Sequence, residues 1–153
     1  MALRSILLAY DGTGPAQSAL AEAVELARAT QATLRIVTVV PIVAGAYGVE
    51  LPPGPEIDSA IQKAKETQVK LRARLEKEGG LAKVETILFE GDPVDRVLDD
   101  AEKHPPDLLV VGSRGLSGAG RFFLGSVSDG ILHHARCSVL VVRPPAGPRK
   151  HEN

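Results

Sequence analysis

Five short apolar runs, separated by stretches of helical periodicity, organise this chain. The first, Ser5 to Tyr10 (SILLAY), is continuous and stops at Asp11-Gly12. Runs without polar alternation suit strands covered on both faces, as in a parallel sheet. Leu34 to Val40 predicts a second strand stopped by Pro41, and Ala82 to Phe89 a third. Leu108 to Val111 predicts a fourth and Val139 to Val142 a fifth. Between the first two strands, Pro15 suits the opening turn of a helix, where its missing N–H costs nothing. Ala16, Ala19, Leu20, Ala23, Val24 and Ala27 then repeat at the i, i+3, i+4, i+7 spacing of one buried face. A second helix is predicted from Ile57 to Glu78, with Ile57, Ile61, Ala64, Leu71 and Leu75 on one side and Gly79-Gly80 as a left-handed cap. Asp92 suits the N-cap of a short third helix with Val94, Val97, Leu98 and Ala101 inward. A fourth is predicted from Ser126 to His134.

Strands alternating with helices predict an α/β fold, a doubly wound open parallel five-stranded sheet of Rossmann-like type with helices on both faces. The all-aliphatic first and fourth strands belong at its centre. The third carries Lys83 and Glu85 and belongs at an edge. The order 3-2-1-4-5 satisfies both conditions, and its reversal point falls between the first and fourth strands. Ligands of such sheets bind beyond the carboxyl ends of the strands at that point. Two loops leave it: Asp11-Gly12-Thr13-Gly14, and the segment VGSRGLSGAGRFFLGSVS from Val111 to Ser128.

Size and composition narrow the picture. The 153 residues suit one domain, since domains commonly span about 100–200 residues. Residues 1–145 are read as that domain and 146–153 as a disordered tail. With 18 Lys plus Arg against 19 Asp plus Glu, the chain lacks the basic excess of a nucleic-acid binder. Trp is absent, which disfavours base-stacking platforms. The apolar run at Ile6 to Ala9 is too short for a signal-peptide core or a membrane span. A lone cysteine, Cys137, excludes an internal disulfide and a CxxC metal knuckle, and fits a cytoplasmic protein.

The long loop holds five glycines, four serines and two arginines. Glycines let backbone N–H groups approach a phosphate. Gly112 and Gly115 flank the first turn after the fourth strand, and Gly125-Ser126 opens a helix whose free N–H groups favour an anion. Ser126 and Ser128 add hydroxyls, and Arg114 and Arg121 add positive charge. Neither GxxxxGK[ST] nor a dinucleotide GxGxxG is present.

Gly112-x2-Gly115-x9-Gly125-Ser126 resembles the ATP-binding signature of the universal stress protein family. The resemblance extends over nearly the whole chain. Ile6 to Thr13 resembles the family's opening strand and its Asp-Gly-Ser/Thr turn, and Gly91-Asp92-Pro93 and Asp107 to Gly115 its later blocks. Gly125 to Ser128 and Cys137 to Arg143 resemble its ending, with Ser138 where the family often has proline. The resemblance implies that Ala9, Tyr10 and Asp11 meet base and ribose, and that Val39 meets the adenine edge through its backbone. It further implies that Val111, Gly112, Arg114 and Gly115 lie on one side of the phosphates and Gly125, Ser126, Val127 and Ser128 on the other.

Each of these residues also has a plainer reading. Asp11 suits a tight turn without any ligand, and Ser126 and Ser128 suit a helix start. Cys137 reads as a small core residue. The adjacent His133 and His134 point apart and read as a solvated helix end, not a metal pair.

The leading expectation is a regulatory protein that binds ATP, with Mg²⁺, and presents a nucleotide-dependent surface to a regulatory partner in stress adaptation. A second is a slow ATPase or phosphotransferase. The loop between Gly112 and Val127 offers no Asp, Glu or His to position a water, so weak turnover is expected at most. A third is a nucleotide-free dimeric scaffold. A homodimer is expected through Val139 to Val142, an uncharged edge strand stopped by Pro144-Pro145.

Overall fold

The computed structural model describes residues 2–42, 54–113 and 125–145. Its elements are β1 (Ser5–Ala9), α1 (Gly14–Thr30), β2 (Thr33–Pro41), α2 (Pro55–Glu78), β3 (Lys83–Gly91), α3 (Pro93–Lys103), β4 (Leu108–Gly112), α4 (Ser126–His134) and β5 (Ser138–Val142). All neighbouring strands pair parallel, in the order β3-β2-β1-β4-β5. The expected architecture is therefore the one observed. The tail 146–153, Arg121 and most of the Pro41–Pro55 connector lie outside the described residues.

Side chains alternate across the sheet because strand periodicity is two. Ile6, Leu8, Leu34, Ile36, Val84 and Val110 turn to one face, where they meet α1 and α2. Leu7, Val37, Leu109 and Val111 turn to the other, where Val97 of α3 and Ile131 of α4 cover them. Residues buried on both sides account for the uninterrupted apolar runs of β1 and β4.

All six predicted inward positions of α1 are buried. Four are alanines, so the helix axis can approach the sheet closely. The α1 helix ends at Gln31, which takes the left-handed conformation (φ 56°, ψ 31°) while its N–H bonds to the Ala27 carbonyl. The stripe of α2 contains one polar member, Gln68, which is buried and donates to the Ile87 carbonyl of β3 at 2.6 Å. Gly79 is not the expected left-handed cap. Its φ of 71° comes with an extended ψ of −173°, because the chain turns at once toward β3 and Arg28 Nε holds the Gly79 carbonyl at 3.2 Å. The β3 strand runs two residues beyond its predicted end, since Glu90 and Gly91 pair with Val40 and Pro41.

Two polar clusters lie away from the carboxyl ends of the strands. Asp107, just before β4, accepts from Arg4 N at 2.8 Å and Ser5 N at 3.0 Å, clasping the starts of β1 and β4. Those two N–H groups hold its carboxyl below the usual aspartate range. On the α3 face, Arg35 of β2 meets Asp100 of α3 through two bonds of 2.7 Å and Glu85 of β3 at 2.9 Å. Asp100, Glu85 and their hydrogen bonds raise the Arg35 pKa against its desolvation. As expected, Asp92 caps α3, accepting from Asp95 N at 3.0 Å.

Candidate functional site

The chain leaves β1 and β4 in different directions because their following connections cross opposite faces of the sheet. A cleft of about 410 Å³ opens between them at the carboxyl ends of the strands. Ligand pockets commonly span about 300–1,000 Å³, so the cleft is of a size for one small molecule.

From β1 come Ala9, Tyr10 and Asp11. Tyr10 N still bonds to the Val37 carbonyl at 2.9 Å, which carries the first strand one residue further along β2. Its ring is buried and its hydroxyl accepts from Gln17 Nε2 at 2.6 Å, so Tyr10 is a held wall of the cleft. Asp11 is exposed. One of its oxygens, Oδ1, accepts from Thr13 N at 2.9 Å and Thr13 Oγ1 at 2.6 Å. This closes a turn through Gly12, whose φ of +80° demands glycine. Asp11 thus forms the expected turn and also lines the cleft.

From β2 come Val37, Val39 and Pro41, and from α3 Pro93 and Val97. These five make one apolar slot. From β4 come Val111 and Gly112. Gly112 has a packing reason to be glycine, since a Cβ there would stand 2.7 Å from the Pro15 carbonyl oxygen.

The first turn of α4 reaches the cleft at Val127 and Ser128. Its N-cap, Gly125, supplies no side-chain bond to the free N–H groups of that turn, so the helix presents a positive end there. Ser128 is buried, and its hydroxyl donates to the Gly125 carbonyl at 3.0 Å. Gly125 and Ser126 stand at the same helix start but outside the lining, and Ser126 is exposed. Arg114 and Gly115 lie outside the described residues.

Thus Ala9, Tyr10, Asp11, Val39, Val111, Gly112, Val127 and Ser128 are brought together around one cleft. Sequence reasoning missed Thr13, Pro15, Ala16, Val37, Pro41, Pro93 and Val97, which also line it. In the sequence the prolines signal strand ends and helix starts; in the fold Pro15, Pro41 and Pro93 also line the cleft. Among the described residues, no cluster of three or more His, Cys, Asp or Glu is placed to hold a metal. His133 and His134 each bond a carbonyl one helical turn back, as expected of a solvated helix end. Cys137 is half-buried against the α3–α4 face, and burial pushes its thiol pKa up.

A family model described as the universal stress protein family matches residues 2–143. A universal stress protein of Thermus aquaticus, from the 3′ region of QAH/OAS sulfhydrylase, is 35% identical over 140 residues, covering 92% of this chain and 98% of the relative. The solved universal stress protein UspA from Lactobacillus plantarum is 28% identical with a TM-score of 0.73, over 94% of this chain and 99% of that one. A universal stress protein solved in complex with cAMP is 26% identical with a TM-score of 0.64, over 94% and 98%.

Proposed function

The chain belongs to the universal stress protein family, and from that premise we propose that it binds an adenine nucleotide in the cleft between β1 and β4. The ligand is ATP with Mg²⁺, and the protein acts as a nucleotide-dependent regulator in stress adaptation. One observation carries the reading: an apolar slot, a free carboxylate oxygen and an uncapped helix start converge on a single cleft. A purine fits between Val37, Val39 and Pro41 on one wall and Pro93 and Val97 on the other. The Oδ2 of Asp11 suits ribose hydroxyls, because Oδ1 is already held by Thr13. The start of α4, with Gly125 and Ser126, suits phosphate oxygens, and the family resemblance assigns Arg114 and Gly115 to the same group. The cAMP complex of a related protein supports an adenine ligand. Mg²⁺ would arrive with the polyphosphate, since the described lining offers one carboxylate and no preformed cluster. ATP bound to Mg²⁺ supplies a compact polyanion whose γ-phosphate distinguishes it from AMP.

Hydrolysis is slow in this reading. Asp11 is the one carboxylate among the described lining residues, with Oδ1 held in its turn and Oδ2 taken by the ribose in this reading. A second reading, a homodimer paired through the open edge of β5, rests on an edge strand without an ionisable side chain. Residence in the cytoplasm and a regulatory protein partner complete the proposal. Among the described residues, no helix is long and apolar enough to cross a membrane.

The deciding experiment identifies nucleotide released from heat-denatured purified protein and measures ATP, ADP and AMP affinities by calorimetry, beside a phosphate-release assay. Bound or titratable adenine nucleotide with turnover far below about 10 s⁻¹ is the expected result. Enzyme-like turnover abolished by Asp11→Asn would move the protein to the ATPase class. No binding of any of the three would leave the scaffold.

A further inference from the structure

The two walls of the apolar slot come from different elements, and among the described residues one directional side-chain contact, between Arg35 and Asp100, ties β2 to α3. On β2, Arg35 turns to the same face as Val37 and Val39, two and four residues further on. On α3, Asp100 lies one helical turn beyond Val97 and shares its inward side, being buried to 2% exposure of its side chain. Its two oxygens take Arg35 Nε and Nη2, each at 2.7 Å. A third guanidinium N–H is held by Glu85 at 2.9 Å, and Glu85 is held in turn by Lys83 at 2.6 Å. The fork is therefore braced from the β3 side as well. Toward the cleft, the first half of α3 is held by Arg96 Nε on the Glu90 carbonyl at 3.0 Å and by Val94 packed toward Gly130, while Val97 and Ala101 pack without directional bonds into the core of the same face.

We propose that the Arg35–Asp100 fork is a positioning clamp that sets the distance between α3 and β2 across the slot, and so sets the affinity for the nucleoside part of the ligand. The inference rests on the nucleotide reading above. Its physical basis is direction. A buried ion pair and a well-packed hydrophobic pair contribute similarly to stability, but only the two-pronged pair fixes angle and spacing. Helices rise about 1.5 Å per residue. With the fork gone, a tilt of about 15° pivoting on the first turn of α3 moves Asp100 by roughly 2 Å and Val97 by roughly 1 Å. Neither Arg35 nor Asp100 lines the slot, so an affinity change on mutating them acts through Val97, the slot residue that moves when α3 tilts.

The test uses the full chain and calorimetry with adenosine and with ATP. Two variants are compared with wild type: Asp100→Asn, and the double change Arg35→Met with Asp100→Leu, which keeps the site filled if the single variant fails to fold. Urea midpoints report their stability. The clamp requires that the folded variants lose at least about fivefold in affinity, by the same factor for adenosine and ATP, so that the ratio of the two is unchanged. The double variant should lose affinity even where its urea midpoint equals that of wild type. A folded double variant binding adenosine as wild type does would overturn the clamp, as would a loss confined to ATP. Wild type that binds neither ligand overturns the nucleotide reading itself, and is seen before any variant is made.

Discussion

Gly112 lies directly against Pro15: a Cβ on Gly112 would stand 2.7 Å from the Pro15 carbonyl oxygen and 2.9 Å from its carbonyl carbon. The end of β4 and the first turn of α1 are thus in backbone contact at the mouth of the cleft. Because the obstacle is backbone, no side-chain rotation relieves it. Gly112→Ala must push the start of α1 outward, and overpacking of this kind costs about 1–3 kcal/mol. Urea denaturation should show that loss, and a midpoint equal to wild type would contradict the close approach.

The proposed phosphate grip is tested by side chains rather than by charge. Gly125 has φ of −64°, which any residue adopts, so a side chain there costs the backbone little. If phosphate oxygens approach at Gly115 and Gly125, the double change Gly115→Val with Gly125→Val should leave a folded protein. Its ATP affinity should fall at least about tenfold, or about 1.4 kcal/mol. Unchanged affinity by calorimetry would place the phosphates elsewhere.

Asp107 should leave a mark on acid stability. Its folded pKa is lowered, first by the N–H of Arg4 and then by that of Ser5. A lowered pKa gives stability that is fully present above the unfolded value of about 3.9 and lost as pH falls through the folded one. Glu85, lowered by Lys83 and then Arg35, acts in the same direction. Urea midpoints measured from about pH 6 down to pH 2 should fall in wild type. The fall should be shallower in Asp107→Asn, where that carboxyl no longer titrates. Parallel curves for the two proteins would show that the clasp is not linked to protonation.

The proposed dimer has a backbone signature. Ser113 N donates to the Val142 carbonyl at 2.7 Å, so Val142 and, by alternation, Leu140 turn their backbone groups to β4. Those of Val139 and Val141 turn outward. Lysine at Leu140 or Val142 would disturb packing against the α1 face as well as the edge. Val141→Pro is the cleaner probe, because it removes an outward donor and an edge strand tolerates proline. Light scattering should report a dimer for wild type and a monomer for Val141→Pro. A monomeric wild type at tens of micromolar would refute the dimer, and a dimeric proline variant would refute this edge.

Much of this was legible because the signals were periodic. The spacing of Ala16, Ala19, Leu20, Ala23, Val24 and Ala27 named the inner face of α1, and Lys83 and Glu85 marked β3 as an edge strand. Once the sheet order followed, the reversal point located the cleft. What stayed hidden depends on tertiary partners. Arg35 interrupts the apolar run of β2, and Asp100 falls between inward Val97 and Ala101. Each is an anomaly in its own element, and only the fold makes them partners. Gln68 in the α2 stripe is the same kind of anomaly, matched by a carbonyl of β3. Gly112 lines the cleft, and its second constraint, the close approach to Pro15, has no signal in the sequence. Left-handed Gln31 had no signal, since glycine or asparagine is the usual residue there.

The sheet order also has a consequence in time. The clasp between Ser5 and Asp107 joins residues 102 positions apart, so β1 leaves the ribosome well before its second neighbour, β4. At about 5–20 residues per second, β1 waits roughly 5–20 s with one edge uncovered. During that interval β1, β2 and β3 can assemble, but the hydrogen-bonding groups of Ser5–Ala9 on the β4 side have no mate. A nascent or truncated chain ending before Leu108 therefore carries its most apolar strand as an open edge, a template for aggregation. The cleft cannot exist until that edge is closed, so the proposed nucleotide site forms only after β4 has been made.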